Sequence, residues 1–162
     1  MGFVFSKLCC CVPDSIRLRC LKNKKYGFPF KKYTVFVQEV IDGDTYHITF
    51  LVESTPITLK LRLFGLDTPE LSSKNLLEKQ AATKVKNILV RKLEGTYCKC
   101  ELLKWDKYGG RIVGRLFVNG KSLTDILLTY NLAKAYEGSS KEDWTSEELE
   151  RMISFNSDRM KW

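Results

Sequence analysis

Between Thr34 and Leu66 three short apolar runs follow one another, each closed by a turn signal, and this succession constrains the fold more than any other feature. The first, Thr34-Val35-Phe36-Val37-Gln38-Glu39-Val40-Ile41, is β-rich and stops at an Asp-Gly turn. The second covers residues 45–52, and Glu53-Ser54-Thr55-Pro56 turns the chain into the third, residues 57–66. In that third run Leu59, Leu61 and Leu63 alternate with Lys60, Arg62 and Phe64. The leucines therefore face a core, and Arg62 projects from the other side.

The pattern then changes period. Residues 74–93 carry Leu77, Ala81, Val85, Ile88 and Leu89 at helical spacing, with Gly95 as a stop. Strand patterns return at 97–103 and 111–118, bracketing the loop 106–110, and Asn119-Gly120 turns the chain again. Leu123, Ile126, Leu127 and Tyr130 predict a second amphipathic helix. A third opens at Thr145, where Glu148 three residues on makes a capping box, and turns Leu149, Met152 and Ile153 inward. Three strands, a helix, two strands and two helices predict an α+β protein with a mainly β core. The expected architecture is a five-stranded Greek-key barrel of OB-fold order with about three packed helices.

Charge divides the chain in two. Residues 1–32 hold Lys7, Arg17, Arg19, Lys22, Lys24, Lys25, Lys31 and Lys32 against Asp14 alone, which leaves +1 of the total +8 for the rest. We expect a basic, Cys-rich, flexible arm over 1–32 and one folded domain over 33–162, acting as a monomer with no obligate protein partner. The arm begins Met1-Gly2-x-x-x-Ser6, an N-myristoylation pattern at Gly2, with Cys9, Cys10 and Cys11 close behind as sites for S-acylation. One acyl chain holds a membrane only marginally, and the cysteines and the basic arm each supply a second signal. The expected location is the cytoplasmic face of a membrane, with an anionic lipid surface as partner, or the cytoplasm without the anchor. We expect neither a membrane-spanning segment nor a cleaved secretory leader, since the apolar stretches near the start are short and broken by Lys7. Cys98 and Cys100 share a strand face as small core thiols, and the six cysteines fit a reducing compartment.

The chemistry-bearing residues cluster at strand ends. Asp42-Gly43-Asp44-Thr45 follows the first strand, and Arg62-Leu63-Phe64-Gly65-Leu66-Asp67-Thr68-Pro69-Glu70 closes the third. Each turn has a bland reading: Asp42 hydrogen-bonding its own hairpin, and Pro69 fixing a turn before a helix. Two acidic turns, each following an apolar strand and one preceded by a projecting arginine, point further. Asp106-Lys107-Tyr108-Gly109-Gly110-Arg111 adds a second guanidinium. Oxygen ligands suit a hard cation such as Ca²⁺, and paired arginines suit a phosphodiester. The single histidine, His47, excludes a paired-histidine mechanism.

In these motifs, with Asn131-Leu132-Ala133 and the closing Lys161-Trp162, the sequence resembles the staphylococcal-type nuclease family over residues 34–162. The resemblance implies a Ca²⁺-dependent endonuclease acting on DNA and RNA and leaving 3′-phosphates. It implies one Ca²⁺ held by the carboxylates of Asp44 and Asp67 and the main-chain carbonyl of Thr68, with Asp42 nearby shaping the site. Glu70 would position or deprotonate the attacking water, and Arg62 and Arg111 would clamp the phosphate. Lys107, Tyr108 and Tyr136 would contact the substrate, and Lys161-Trp162 would end the last helix.

Two departures from the family pattern stand out. Gly110 adds a residue before Arg111, which on a strand would turn the side chain to the opposite face unless the glycines absorb it, with Arg115 as the substitute. Asn131 replaces a usual glycine, which the left-handed conformation open to Asn permits. The rival readings are a catalytically inert OB-fold nucleic-acid-binding module and a membrane-anchored interaction protein. The presence of Asp44, Asp67, Glu70, Arg62 and Arg111 together argues against decay to a binding module.

Overall fold

The computed structural model describes residues 32–106, 110–138 and 141–162. Gly2, Cys9, Cys10, Cys11, Lys107 and Tyr108 lie outside the described residues. Strands β1 (Lys32–Val40), β2 (Thr45–Val52) and β3 (Thr55–Leu63) form an antiparallel meander. The β2–β3 turn is tighter than the sequence suggests. Glu53 and Ser54, with φ of 48° and 70°, make a two-residue hairpin, and Thr55 and Pro56 already belong to β3.

Helix α1 (Leu76–Leu93) follows, then β5 (Tyr97–Trp105) and β6 (Ile112–Val118). β5 returns beside β1, and β6 pairs antiparallel with β5 and parallel with β3. That parallel pairing closes a five-stranded mixed barrel in OB-fold order, with three helices packed on it among the described residues. Short strands β4 (Leu66–Asp67) and β8 (Lys134–Ala135) pair with each other, β7 (Lys121–Ser122) extends β6, and α2 (Leu123–Thr129) and α3 (Ser146–Ser154) complete the fold.

Alternation puts Val35 and Val37, Tyr46, Ile48 and Phe50, Leu61 and Leu63, and Cys98, Cys100 and Leu102 inside. On β1 the phase breaks after Val37, since Val40 is also buried. A bulge between Val37 and Glu39 absorbs the odd spacing, and a second lies between Leu102 and Lys104 on β5. Such bulges bend strands sharply enough to close a small barrel. Asn131 has φ of 53°, the left-handed conformation expected of it.

Helix α1 begins at Leu76 rather than at 74 because Asn75 caps it, accepting from Leu77 N–H at 2.9 Å. Helix α3 has the expected capping box. The chain end differs from expectation: the helix stops at Ser154, Phe155 is extended, and Asn156 caps a separate 3₁₀ turn, Ser157–Arg159. Lys161-Trp162 therefore follows a turn, and Trp162 packs partly buried on the core. His47 lies on the outer face of β2 and pairs with Glu39 at 2.8 Å. Among the described residues no helix is long and apolar enough to cross a membrane.

Candidate active site

The two acidic turns meet. In the β1–β2 turn Asp44 N–H donates to Asp42 Oδ1 at 3.1 Å, so Asp42 braces its own turn. Tyr46, inside the barrel, donates its hydroxyl to the Gly43 carbonyl at 2.9 Å. Gly43 presses against Thr68 so closely that a Cβ would lie 2.7 Å from Thr68 Oγ1. Any side chain there would push the turns apart. The register of β2 on β3 places Thr45 opposite Arg62, and β4 on β8 fixes Asp67.

Arg62 joins the two carboxylates. Its Nη1 lies 2.5 Å from Asp44 Oδ2 and its Nη2 3.5 Å from Asp67 Oδ1. Both aspartates are buried. Burial pushes the Asp44 carboxyl up to about 7 and nearby Asp42 adds to the rise, while Arg62 and the Thr45 hydroxyl oppose it. Asp67 Oδ1 is buried and accepts no well-aligned hydrogen bond; two cations face it, Arg62 and Lys141 Nζ, the latter at 2.8 Å.

Glu70 is positioned from both sides. Its backbone N–H donates to Glu78 Oε1 at 3.0 Å in the first turn of α1, and Glu78 Oε2 accepts from Ser73 Oγ at 2.6 Å. Its half-exposed carboxylate accepts from Lys141 Nζ at 2.6 Å. Burial alone would lower the Lys141 pKa, but the Asp67 and Glu70 carboxylates outweigh it and hold the ammonium above its ordinary value. Sequence reasoning missed Lys141. It stands in the connection from β8 to α3, where no periodicity aims a side chain, and the hydrogen bond from Tyr136 N–H to the Gly65 carbonyl (3.1 Å) and the β4–β8 pairing bring that connection to the site.

Arg62, Glu70, Arg111, Tyr136 and Lys141 line one cleft of about 690 Å³, with Lys104 and Trp105 on its wall. Gly110 takes φ of 79°, the left-handed region that glycine enters freely. Ile112 pairs with Leu61 and both are buried, so Arg111 falls on the Arg62 side. Asp106 N–H donates to the Arg111 carbonyl at 2.9 Å, and Asp106 Oδ2 accepts from Arg111 Nε at 2.9 Å and Nη2 at 2.7 Å. Arg115 lies elsewhere, 3.2 Å from Glu101 and with its guanidinium 4.9 Å from the Phe64 ring centroid.

No three His, Cys, Asp or Glu side chains among the described residues converge as a metal cage. The donor set is smaller and more open: two buried carboxylates, one pushed up to about 7 and the other lacking an aligned donor. Among the described residues, Asp44, Asp67 and Glu70 share only two contacting cations, Arg62 and Lys141, so one carboxylate charge is left over. Ca²⁺ takes carboxylate, carbonyl and water oxygens in flexible geometry, so these residues fit it without a full protein cage.

A small closed barrel thus gathers carboxylates and arginines at one cleft. The family of staphylococcal nuclease homologues matches residues 60–155, and the chain belongs to that family. Its members are in general nucleases, and they typically use Ca²⁺. No curated protein matches the chain significantly. The match takes in Arg62, Asp67, Glu70, Arg111 and Tyr136; Asp42 and Asp44 precede it and join through the β2–β3 pairing.

Proposed function

We propose that the chain is a Ca²⁺-dependent endonuclease that hydrolyses phosphodiester bonds of DNA and RNA. One observation carries the reading: Arg62, Glu70 and Arg111 open onto a single cleft, and Arg62 is tied to the paired carboxylates Asp44 and Asp67. Asp44, Asp67 and the Thr68 main-chain carbonyl would hold the cation, with Asp42 bracing the turn. When bound, the ion supplies positive charge that polarises a phosphoryl oxygen and acidifies water.

The remaining work falls to this chain's own residues. Glu70 orients the attacking water and takes its proton at a carboxylate oxygen. Arg62 and Arg111 bind the non-bridging oxygens and gain strength as charge builds in the pentacoordinate transition state. Lys107, Tyr108 and Tyr136 offer charge and aromatic faces to the nucleotide. Residues 1–32 would tether the enzyme to an anionic membrane through acylated Gly2 and Cys9, Cys10 or Cys11. Incubation of single-stranded DNA and RNA with the purified chain tests the reading. Cleavage in Ca²⁺ and none in excess chelator is expected. Binding without cleavage under any divalent ion would replace it with the inert binding module.

A further inference from the structure

The scheme above leaves Lys141 without a part, yet it touches two carboxylates the scheme uses. Its ammonium lies 2.8 Å from Asp67 Oδ1 and 2.6 Å from Glu70 Oε1. Asp67 Oδ1 is buried, and Lys141 is the nearer of the two cations facing it. A lysine ammonium is a compact point charge on a flexible stem. With 45% of its side chain exposed, Lys141 can swing into solvent without disturbing the barrel. Arg62, held between strands at 17% exposure, is far less able to move.

A divalent cation on Asp67 would compete with the ammonium for the same carboxylate, and the two positive charges would repel. We propose that Lys141 is the site's internal counter-cation. It holds Asp67 and Glu70 together before the divalent cation binds, yields Asp67 when it does, and so sets the cation affinity of the site. Toward catalysis it is a positioning residue, acting through Glu70. The inference rests on the cation reading above and adds to it which residue the ion must displace.

Calorimetric titration of the full chain with CaCl₂, after removal of bound ions by chelator and dialysis, tests it without an activity readout. The chains compared are the wild type, Lys141→Met, Lys141→Arg and Lys121→Met, the last an exposed lysine on β7 that controls for net charge. Lys141→Met should bind Ca²⁺ roughly 5- to 20-fold more tightly than the wild type, the size of an ordinary coupling between neighbouring sites. Lys141→Arg, which keeps the charge, and Lys121→Met should stay near the wild type. In chelator Lys141→Met should melt below the wild type, because Asp67 loses a counter-charge, and Ca²⁺ should close the gap. A merely structural lysine would leave Ca²⁺ binding unchanged or weaker when replaced. Unchanged or weaker binding by Lys141→Met, or equal tightening in Lys121→Met, would overturn the proposal and leave the cation site standing. Absence of binding heat in every chain, the wild type included, would overturn the cation reading and this proposal with it.

Discussion

Arg62 is the residue on which both acidic turns converge, within reach of Asp44 and of Asp67 from one guanidinium. Its planar fork presents paired N–H donors to a carboxylate or a phosphate, a bidentate geometry that an ammonium lacks. Arg62→Lys should therefore lower cleavage by roughly 10²-fold or more even though the charge is kept, and Arg111→Gly should do the same, as expected for groups acting on transition-state charge. Glu70→Gln should lose about as much through the missing general base. Arg115→Gly should cut near the wild-type rate, since Arg115 faces Glu101 outside the cleft. Rates on one oligonucleotide with the four purified variants check this, and a dead Arg115→Gly beside an active Arg111→Gly would reverse the assignment. Gly43→Ala is the complementary case. Its methyl would meet Thr68 at 2.7 Å, so the turns must separate, and Ca²⁺ binding followed calorimetrically should weaken while the circular dichroism of the barrel persists.

Elements were legible in the sequence where a period was present. Alternating leucines marked β3, and the helical stripe Ala81, Val85, Ile88 and Leu89 is the buried face of α1. The bulge after Val37 was not legible, because the alternation simply shifts phase there and closure of the barrel decides where. Nor were β4 and β8, at two residues each, too short to carry a pattern. The site followed the same rule. Asp44, Arg62, Asp67 and Glu70 sit at strand ends, where spacing indicates direction, whereas Lys141 comes from a connection whose position is set by long-range pairing. That connection ends at α3, whose cap carries a prediction of its own. Thr145 N–H donates to Glu148 Oε2 at 2.8 Å, and that hydrogen bond, with Lys134 Nζ at 2.9 Å, holds the Glu148 carboxyl below its usual range. A carboxyl lowered in the folded state adds stability above its ordinary pKa of 4.5 and loses it as pH falls through the lower folded value. The melting-temperature gap between the wild type and Glu148→Ala should thus be full at pH 7 and shrink below pH 4.5. Thr145→Ala should cost about 1 kcal/mol at pH 7 in a denaturant titration.

At the scale of the whole molecule, charge is divided unevenly along the sequence. The arm holds eight basic residues against Asp14, and the rest of the chain carries +1, so the domain draws a polyanion only weakly from a distance. Each Lys or Arg near an anionic surface is worth ~1 kcal/mol, enough for several to reinforce one or two acyl chains. Gly2→Ala should then shift the protein from the membrane to the soluble fraction of cells while the purified chain keeps full activity. A native protein with an unmodified N-terminus and a soluble distribution would end the tether and leave the cleft chemistry untouched. The rate of cleavage of one single-stranded oligonucleotide against free Ca²⁺ puts that chemistry to the test. We expect no cleavage in excess chelator, a saturable rise with Ca²⁺, and a Glu70→Gln chain that is folded, binds Ca²⁺ and barely cuts. Undiminished cleavage in chelator, or a Glu70→Gln chain as fast as the wild type, would contradict it.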